Sequence, residues 1–597
     1  MSRRETQLVV ALSLAIALTR LMALSRSMWD WDEGLFAMSL HDYNVAAHHP
    51  HPPGFPLYVG AGRLVRLVVH DDFRALRGVE LLASICLFPA MFGLGRAMKF
   101  PFAVAVSAGV LLAFLPNVWF YGGTAFSDVF NLVLLIAGLA LLFDDRLVPG
   151  TVVFALSLLV RPQNVLCAYP WFASLGAPAS APAGPAASRR PRRNASWPAA
   201  VTAALLAILI VAFGYGIAAY ATGWHDYVRA VREHQHYVTA IDGYANPARP
   251  PSWTLFPLFA VDPFDAGPRM VVLFALAVVA LIIPKRRDLE ALATFGPMLL
   301  FVLFMLNPTG ASRLSLEHMP LLALLAADGI ARLAAGVAAV VRRPRTALVV
   351  QAAGVAAMAG SLASWSLAPL REVKSHDSPP VQAMKWVREH VPVGSTIFVD
   401  GGYSPLADVY LRSYDAHFVD GEDALARLPP LRNAWYVGDH PSNSATAVNF
   451  SRPRKRLFAL FTRRYFESSV RPIAGTIRYL DGWYDEEGSG ADTWRWMGRR
   501  ARLLLQPIAG GGELRFSANV PIDAEAPPKL RVSIDGRVVD DFVASTPTFT
   551  RRYDVPPSNA AHEVVFDLSN AVNPARRHLG GDTRDLGMQL RTISWSP

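Results

Sequence analysis

The segment Trp29-Asp30-Trp31-Asp32-Glu33-Gly34 places two adjacent carboxylates, Asp32 and Glu33, just after an almost wholly apolar run, Gln7 to Leu24. Carboxylates at a membrane surface are unfavourable unless paired, hydrated or used. One of them can take a proton from a hydroxyl, or orient it, while a sugar carbon is attacked. Its neighbour can shift its pKa or hold a metal. The same residues could instead cap a helix that begins near Glu33. His48, His49 and His51 follow in a loop, His48-His49-Pro50-His51-Pro52-Pro53-Gly54. Imidazole suits zinc, but this spread lacks the i, i+4 spacing of a helix-borne site, and its prolines suit a rigid turn back toward the membrane. Asp128 opens another apolar run, where a carboxylate serves either chemistry or the helix dipole. Arg161 and Arg313 sit in turns between apolar runs. Each could snorkel to lipid head groups or grip a phosphate with paired donors.

The elements that would position these groups are membrane helices. The chain of 597 residues is 52% hydrophobic and only 17% charged, against about 25% charged in soluble domains. Its net charge of +10 lies in short clusters between apolar runs: Arg3-Arg4, Arg96 and Lys99, Arg189 to Arg193, Lys285 to Arg287, Arg342 to Arg345. That is a positive-inside pattern and argues against a nucleic-acid partner. The two cysteines, Cys86 and Cys167, lie in apolar runs and form no disulfide or zinc framework. The first apolar run lacks a cleavage pattern and reads as an uncleaved span.

Apolar runs of span length occur at 7–24, 76–94, 102–120, 126–143, 198–220, 270–283, 289–306, 319–341 and 346–367. The run 147–172 carries Arg161-Pro162 in its middle and reads as two short helices with an outward turn. This pair keeps every basic cluster on one side and predicts about 11 membrane helices. The amino terminus is then inside and everything after Leu370 outside. Gly54 to Val69 reads as a half-embedded helix with Arg63 and Arg66 toward the head groups. Ala177 to Arg193 reads as a low-complexity cytoplasmic linker. Thr222 to Gly267 reads as a long outer loop.

Two soluble segments follow. Val381 to Val391 reads as an amphipathic helix, and Ser395 to Asp400 and Asn433 to Val437 as strands of a small α/β domain. From about Asp481 strands dominate. Leu530, Val532 and Ile534 alternate before the hairpin turn Asp535-Gly536, as do Val564, Phe566 and Leu568, and Leu586, Met588 and Leu590. The expected organisation is a multi-span α-helical domain at 1–369, an extracytoplasmic α/β domain at 370–478 and a jelly-roll β-sandwich at 479–597.

In this order, the motifs resemble the GT-C superfamily of membrane glycosyltransferases, nearest its protein mannosyltransferase and lipid A aminoarabinose transferase branch. WDWDEGLF looks like the first outer-loop Asp-Glu motif of that branch. HPHPPGFPLYVGAGRL is similar to its His-Pro-Pro-Gly-x-Pro-Leu-Tyr stretch. SDVFNLVLLIAGLAL looks like the span that starts with the second acidic residue. SRLSLEHMPLLALLAADGI is similar to the Ser-Arg-Tyr-x-Leu-x-x-x-Pro span, with Leu314 where an aromatic is usual. The resemblance covers about residues 7 to 400.

The resemblance implies a polyprenyl-phosphate-linked sugar as donor, an acceptor outside the membrane and transfer with inversion of a hexosyl or pentosyl group. It makes Asp32 the catalytic carboxylate, with Glu33 and Asp128 as supporting acids. Arg313 becomes a donor-phosphate ligand, and Arg161, His51 and Tyr58 further substrate-binding residues. Family members differ in metal use, so the cofactor is open, a divalent metal included. The compositional bias toward Ala, Pro and Arg suggests a bacterial inner-membrane protein. The terminal β-sandwich resembles carbohydrate-binding modules, and Trp483, Tyr484, Trp494 and Trp496 near its start could stack on sugar or pack its core. Two rivals belong to other classes: a transporter or flippase of lipid-linked sugars, which would carry charges near the bilayer midplane, and a non-catalytic membrane-anchored sugar-binding protein, which would not need Asp32.

Overall fold

The computed structural model describes residues 1–175, 197–241, 243–308, 311–427, 434–442, 446–453, 463–473, 477–489, 492–508, 510–521, 527–558 and 560–596. The expected linker at Ala177 to Arg193 lies outside the described residues, as does Asn433. The chain forms two compact units, Met1–Ser378 with Pro453–Thr462, and Pro379–Arg452 with Arg463–Pro597.

The first unit is helical. Helix α1 (Arg3–Arg20) begins at a capping box made by Ser2 and Glu5. It ends at Arg20 rather than at Leu24, and the Arg20 guanidinium turns inward, 5.1 Å from the Trp119 ring centroid. Helices α2 (Trp31–Ser39), α3 (Pro56–Val69) and α4 (Asp72–Ala97) follow. Pro56 stands in the first turn of α3, where a missing N–H leaves no helical bond unmade. Leu64, Leu67 and Val68 are exposed on this helix. Arg63, which is exposed, and Arg66, which is half-buried, also have partners within the protein. Arg63 donates to the Ser39 carbonyl at 2.9 Å and Arg66 to Asp72 at 2.6 Å.

Helix α5 (Phe102–Phe114) breaks at Leu115-Pro116, and α6 (Pro116–Tyr121) takes over. After α7 (Asp128–Phe143) comes the segment with Arg161-Pro162 at its centre. It forms α8 (Leu147–Leu158), a 3-10 turn (Pro162–Cys167) and α9 (Tyr169–Leu175). Proline disfavours helix in the residue before it, and Arg161 is accordingly extended. The remaining helices are α10 (Trp197–Thr222), α11 (Trp224–Ala240), α12 (Ser252–Phe256), α13 (Pro268–Ile282), α14 (Arg286–Met305), the short α15 (Ala311–Leu314), α16 (Met319–Val341) and α17 (Thr346–Ser375).

Among the described residues, five helical stretches are long and apolar enough to cross a membrane: Asp72–Ala97, Trp197–Thr222, Arg286–Met305, Ala311–Val341 and one beginning at Thr346. Shorter apolar helices lie at Phe102–Phe114, Asp128–Phe143, Leu147–Leu158, Ser252–Val261 and Pro268–Ile282. With Arg3, Arg4, Glu5 and Arg20 among its 18 residues, α1 belongs to neither group. Gly329 and Gly123 are among the glycines that let backbones meet in this unit. A Cβ at Gly329 would stand 1.8 Å from the Leu276 carbonyl oxygen, which fixes α16 against α13. A Cβ at Gly123 would stand 2.0 Å from the Ala23 carbonyl oxygen, which holds the loop before α7 against the end of α1.

The second unit opens with α18 (Pro379–His390) and β1 (Thr396–Asp400), then α19 (Ser404–Tyr410), β2 (Asp415–Val419), β3 (Ala434–Gly438), β4 (Val448–Ser451) and β5 (Glu467–Pro472). These strands make one mixed sheet in the order β2-β1-β3-β5-β4, with β1 parallel to both neighbours. Ten strands follow: β6 (Ile477–Tyr479), β7 (Trp483–Ser489), β8 (Asp492–Met497), β9 (Arg500–Leu505), β10 (Gly512–Asn519), β11 (Lys529–Ile534), β12 (Arg537–Val543), β13 (Thr548–Val555), β14 (His562–Leu568) and β15 (Gln589–Ser596). They form two five-stranded antiparallel sheets, β13-β10-β15-β8-β7 and β12-β11-β14-β9-β6. The inward rows of both enter one core that includes Leu503, Phe516, Leu530, Val532, Val564, Phe566 and Trp595. At the β11–β12 hairpin Asp535 and Gly536 both take positive φ, 52° and 78°, which matches strand twist in a two-residue turn.

Candidate active site

Three carboxylates lie within four residues at the start of α2, and each has a different partner. Asp30 is the N-cap, and its side chain accepts the Asp32 amide at 3.1 Å. Glu33, three residues on, is fully buried. It accepts the Trp29 and Asp30 amides at 2.6 and 3.2 Å, and with its other oxygen the Ala125 amide at 2.8 Å. Glu33 therefore ties α2 to the loop before α7. Asp32 alone turns toward the facing helices, where it pairs with Arg313.

Arg313 lies in α15, with its guanidinium 4.3 Å from the Phe126 ring centroid. Its Nη1 meets Asp32 and its Nε donates to Asp128 at 3.0 Å. The other oxygen of Asp128 receives Arg161 Nη2. The Nε of Arg161 stands 3.3 Å from Glu317, which also accepts from Asn131 at 3.2 Å. The result is a chain of alternating charge, Asp32–Arg313–Asp128–Arg161–Glu317. Side-chain exposure falls along it from 21% at Asp32 to 17% at Arg313 and 0% at Asp128, with Arg161 at 9%.

Two acids that the motifs did not single out support this chain. Glu317 terminates it. Glu80 of α4, fully buried, accepts the Val129 amide at 3.1 Å and the Phe130 amide at 3.2 Å. Ser127 makes no side-chain cap, so Glu80 satisfies two of the orphan amides at the start of α7 and fixes the turn that carries Asp128. Sequence offered one signal for both: a lone carboxylate within or beside an apolar run is rarely idle.

His51 reaches the chain, with Nδ1 at 3.8 Å from Asp32 Oδ1. Tyr58 does not: it is fully buried and donates to the Ala125 carbonyl at 2.9 Å, bracing the same loop that Glu33 holds. The three loop histidines diverge. His49 lies 3.0 Å from Asp42, and His48 faces His234 at 6.3 Å between ring centroids. Asp32 and Asp128 are both engaged by guanidiniums, and among the described residues no group of three His, Cys, Asp or Glu could hold a metal ion. In this arrangement the residues do not fit a divalent cation.

The charges shape the titration of the outer acids. Burial alone would raise the Asp32 carboxyl, but the positive charge of Arg313, with His51 and Arg161 behind it, outweighs burial and holds it below the usual carboxylate range. Asp30 is pushed up to about 7 by burial and by the charge of Asp32. Burial pushes Glu33 up to about 8 against its backbone bonds. Burial also brings His51 down to about 4, against the pull of Asp32. At neutral pH the site thus presents a charged Asp32 beside a neutral imidazole.

No family model matches the sequence, and no curated protein matches it. Among solved structures the chain is similar to ArnT from Cupriavidus metallidurans bound to undecaprenyl phosphate, at 13% identity and a TM-score of 0.47, over 79% of this chain and 98% of that one. It is also similar to the Archaeoglobus fulgidus oligosaccharyltransferase tethered with an acceptor peptide, at 9% identity and a TM-score of 0.46, over 99% and 97% of the two chains. A third is the arabinofuranosyltransferase AftD from Mycobacteria, at 12% identity and a TM-score of 0.43, over 100% of this chain and 59% of that one. All three are GT-C glycosyltransferases, the type that the motifs resemble. At TM-scores below 0.5 the likeness assigns no role to any residue.

The aromatics near the start of the ten-stranded region divide. Trp483 packs on the core and donates to the Arg502 carbonyl at 2.9 Å. Tyr484 and Trp494 each carry a guanidinium on the ring, from Arg584 at 5.1 Å and Arg591 at 5.0 Å. A cation thus covers one face of each of these two rings.

Proposed function

We propose that this chain is an inverting membrane glycosyltransferase of the GT-C type, moving a sugar from a polyprenyl-phosphate-linked donor to an acceptor on the outer side of the membrane. The observation that carries the proposal is the half-open Asp32–Arg313 pair backed by the fully buried Asp128. A displacement at an anomeric carbon needs a base for the incoming hydroxyl and a cation for the leaving phosphate. Both stand side by side at the open end of the chain.

In this reading the donor phosphate takes the place of Asp32 on Arg313, whose Nε stays anchored on Asp128. Asp32 is released toward the acceptor. The acceptor oxygen bonds to the anomeric carbon, the carbon–oxygen bond to phosphate breaks, and the electron pair leaves with the phosphate beside Arg313. The acceptor proton passes to Asp32. Arg161, held between Asp128 and Glu317, positions Asp128 rather than touching the donor. Glu33 and Tyr58 hold the backbone around the site.

Helix direction supports a site on the outer side. Helix α14 begins at Arg286 and α16 ends at Val341, so the basic clusters Lys285 to Arg287 and Arg342 to Arg345 lie at the helix ends opposite the Arg313 turn. Positive residues favour the cytoplasm, which puts the site outside. About 11 membrane passages, counting α1 and the paired short helices, complete the topology. We read the 370–478 and 479–597 segments as an α/β domain and a β-sandwich that follow on the outer side.

The test is Asp32→Asn in the full chain, offered synthetic undecaprenyl phosphates that carry glucose, mannose, galactose or arabinofuranose. Transfer by the natural protein and its loss in the folded variant support the reading. Transfer that survives the substitution overturns it.

A further inference from the structure

The environment of Asp32 poses a question about its proton. One carboxylate oxygen lies on Arg313, and the other faces Nδ1 of His51 at 3.8 Å. Once the donor phosphate has taken Arg313, Asp32 must pass on the acceptor's proton before the next turnover restores its pairing, and a bound donor and acceptor would cover it from bulk water. His51 is the polar group beside it that the donor phosphate does not need.

His51 does not stand alone. Its ring lies 5.6 Å from that of His234 on α11, at an interplanar angle of 36°. The His234 ring in turn lies 6.3 Å from that of His48, which is exposed. Phe55 and Phe36 flank His51 on its apolar sides, at 4.8 and 5.9 Å. The loop holds α11 through Tyr227, which donates to the Pro53 carbonyl at 3.1 Å, and holds the end of α10 through the Val45 amide, which donates to Thr222 at 2.9 Å. Three imidazoles from two elements therefore run from the base to the outer water.

We propose that His51 and His234 carry the acceptor's proton away from Asp32 to solvent at His48, so that the outer helix α11 supplies a working residue to the site. The inference rests on the reading of Asp32 as the base. The proton leaves the acceptor oxygen as that oxygen bonds to the sugar, passes from the Asp32 carboxyl to the neutral His51 ring, and is handed on through His234. The leaving phosphate keeps the electron pair of the broken bond. The charged and titratable groups around His51 are Asp32, Arg313, Arg161 and His234; those around His234 are His48 and Asp32. Burial lowers both rings below their ordinary value, so each is a neutral acceptor at pH 7 that does not trap the proton it receives.

The experiment uses the full chain in liposomes, the same undecaprenyl phosphate sugars, and water or a simple alcohol as acceptor. His51→Ala should lower kcat roughly 10- to 100-fold, at or below the low end of what acid–base groups contribute, with KM for the donor little changed. Added imidazole should restore the rate in proportion to its free-base concentration. His234→Ala should show a smaller fall with the same rescue. A rise in KM at unchanged kcat, a fall that imidazole does not rescue, or natural rates in both variants would each overturn the relay. If Asp32→Asn is inactive while both histidine variants work normally, the relay alone fails. If the natural protein transfers none of these sugars, the functional reading and the relay fall together.

Discussion

The same substitution made at two positions of the charge chain should have opposite consequences, because burial differs. Asp128→Asn keeps the shape of the side chain but removes a charge shared by two guanidiniums, Arg313 at 3.0 Å and Arg161, in a place with no solvent exposure. The new amide also offers donors where both neighbours are donors already. Breaking a buried pair from one side costs about 3–5 kcal/mol. Asp32→Asn removes a partner whose side chain is 21% exposed, where water replaces part of the lost interaction and the cost is about 1 kcal/mol or less. The two variants should therefore differ by at least ~2 kcal/mol in stability, with Asp128→Asn the weaker. Denaturant unfolding in detergent, followed by tryptophan fluorescence, measures the difference, and sugar transfer on the folded fractions completes it. Asp32→Asn should be stable and inactive. Equal stabilities, or a destabilised Asp32→Asn beside a robust Asp128→Asn, would refute the reading of Asp128 as anchor and Asp32 as the exchangeable group.

Glu80→Gln leaves one of two amides at the start of α7 poorly satisfied, so it should cost about 1–3 kcal/mol and lower transfer without any contact to substrate; unfolding and rate measurements on one sample check both. Asp32 has a depressed carboxyl pKa, so its pairing stabilises the protein above the unfolded value of about 3.9 and is lost as pH falls through the folded value. The stability gap between the natural chain and Asp32→Asn should therefore narrow as pH falls from about 5 to about 3 and close only below the folded value, a trend that unfolding midpoints can follow. A fragment beginning at Asp481 should melt lower than one beginning at Ile477, because β6 pairs with β9 and Tyr479 packs edge-on to Trp483 at 5.2 Å. A reporter that works only outside the cytoplasm should be active when fused after Pro597 and silent at Arg190.

The parts of this site that sequence exposes are those whose residue type is costly where it stands. Asp32, Asp128, Arg161 and Arg313 all interrupt or border apolar runs, and the structure brings all four into one chain. What adjacency could not tell was which carboxylate of Asp32-Glu33 turns toward the other helices. Neighbouring residues on a helix lie about 100° apart at 3.6 residues per turn, so the pair had to diverge, and the capping geometry of Asp30 decided the direction. Glu33 joined the backbone instead of the site for that reason. The partner of Tyr58 was not legible either, because the Ala125 carbonyl that it satisfies belongs to a segment distant in sequence. Glu80 and Glu317 carried the same signal as Asp128, an acid at an apolar run, but their partners are backbone amides and Arg161, which no local pattern encodes. In the second unit, period-two alternation and Asp535-Gly536 were sufficient for β11, β14 and the hairpin, though the strand read from Leu586, Met588 and Leu590 begins only at Gln589. The pairing order of ten strands was not, since it depends on contacts across the whole unit.

The gradient of exposure along the charge chain limits which of its members can meet a substrate. Asp128 is sealed, and Arg161 is close to sealed between Asp128 and Glu317. Moving either one toward a ligand would strip a buried charge of its partner, at several kcal/mol. Only the outermost contact, Arg313 with Asp32, can be exchanged without leaving a charge alone in the interior, because a donor phosphate restores to Arg313 the anion that Asp32 withdraws. In the proposed mechanism the exchange also delivers Asp32, no longer neutralised, to the acceptor at the moment the donor arrives. Donor binding and activation of the base are then one event, set by a guanidinium that has two anions to choose from and a third, Asp128, that never lets it go.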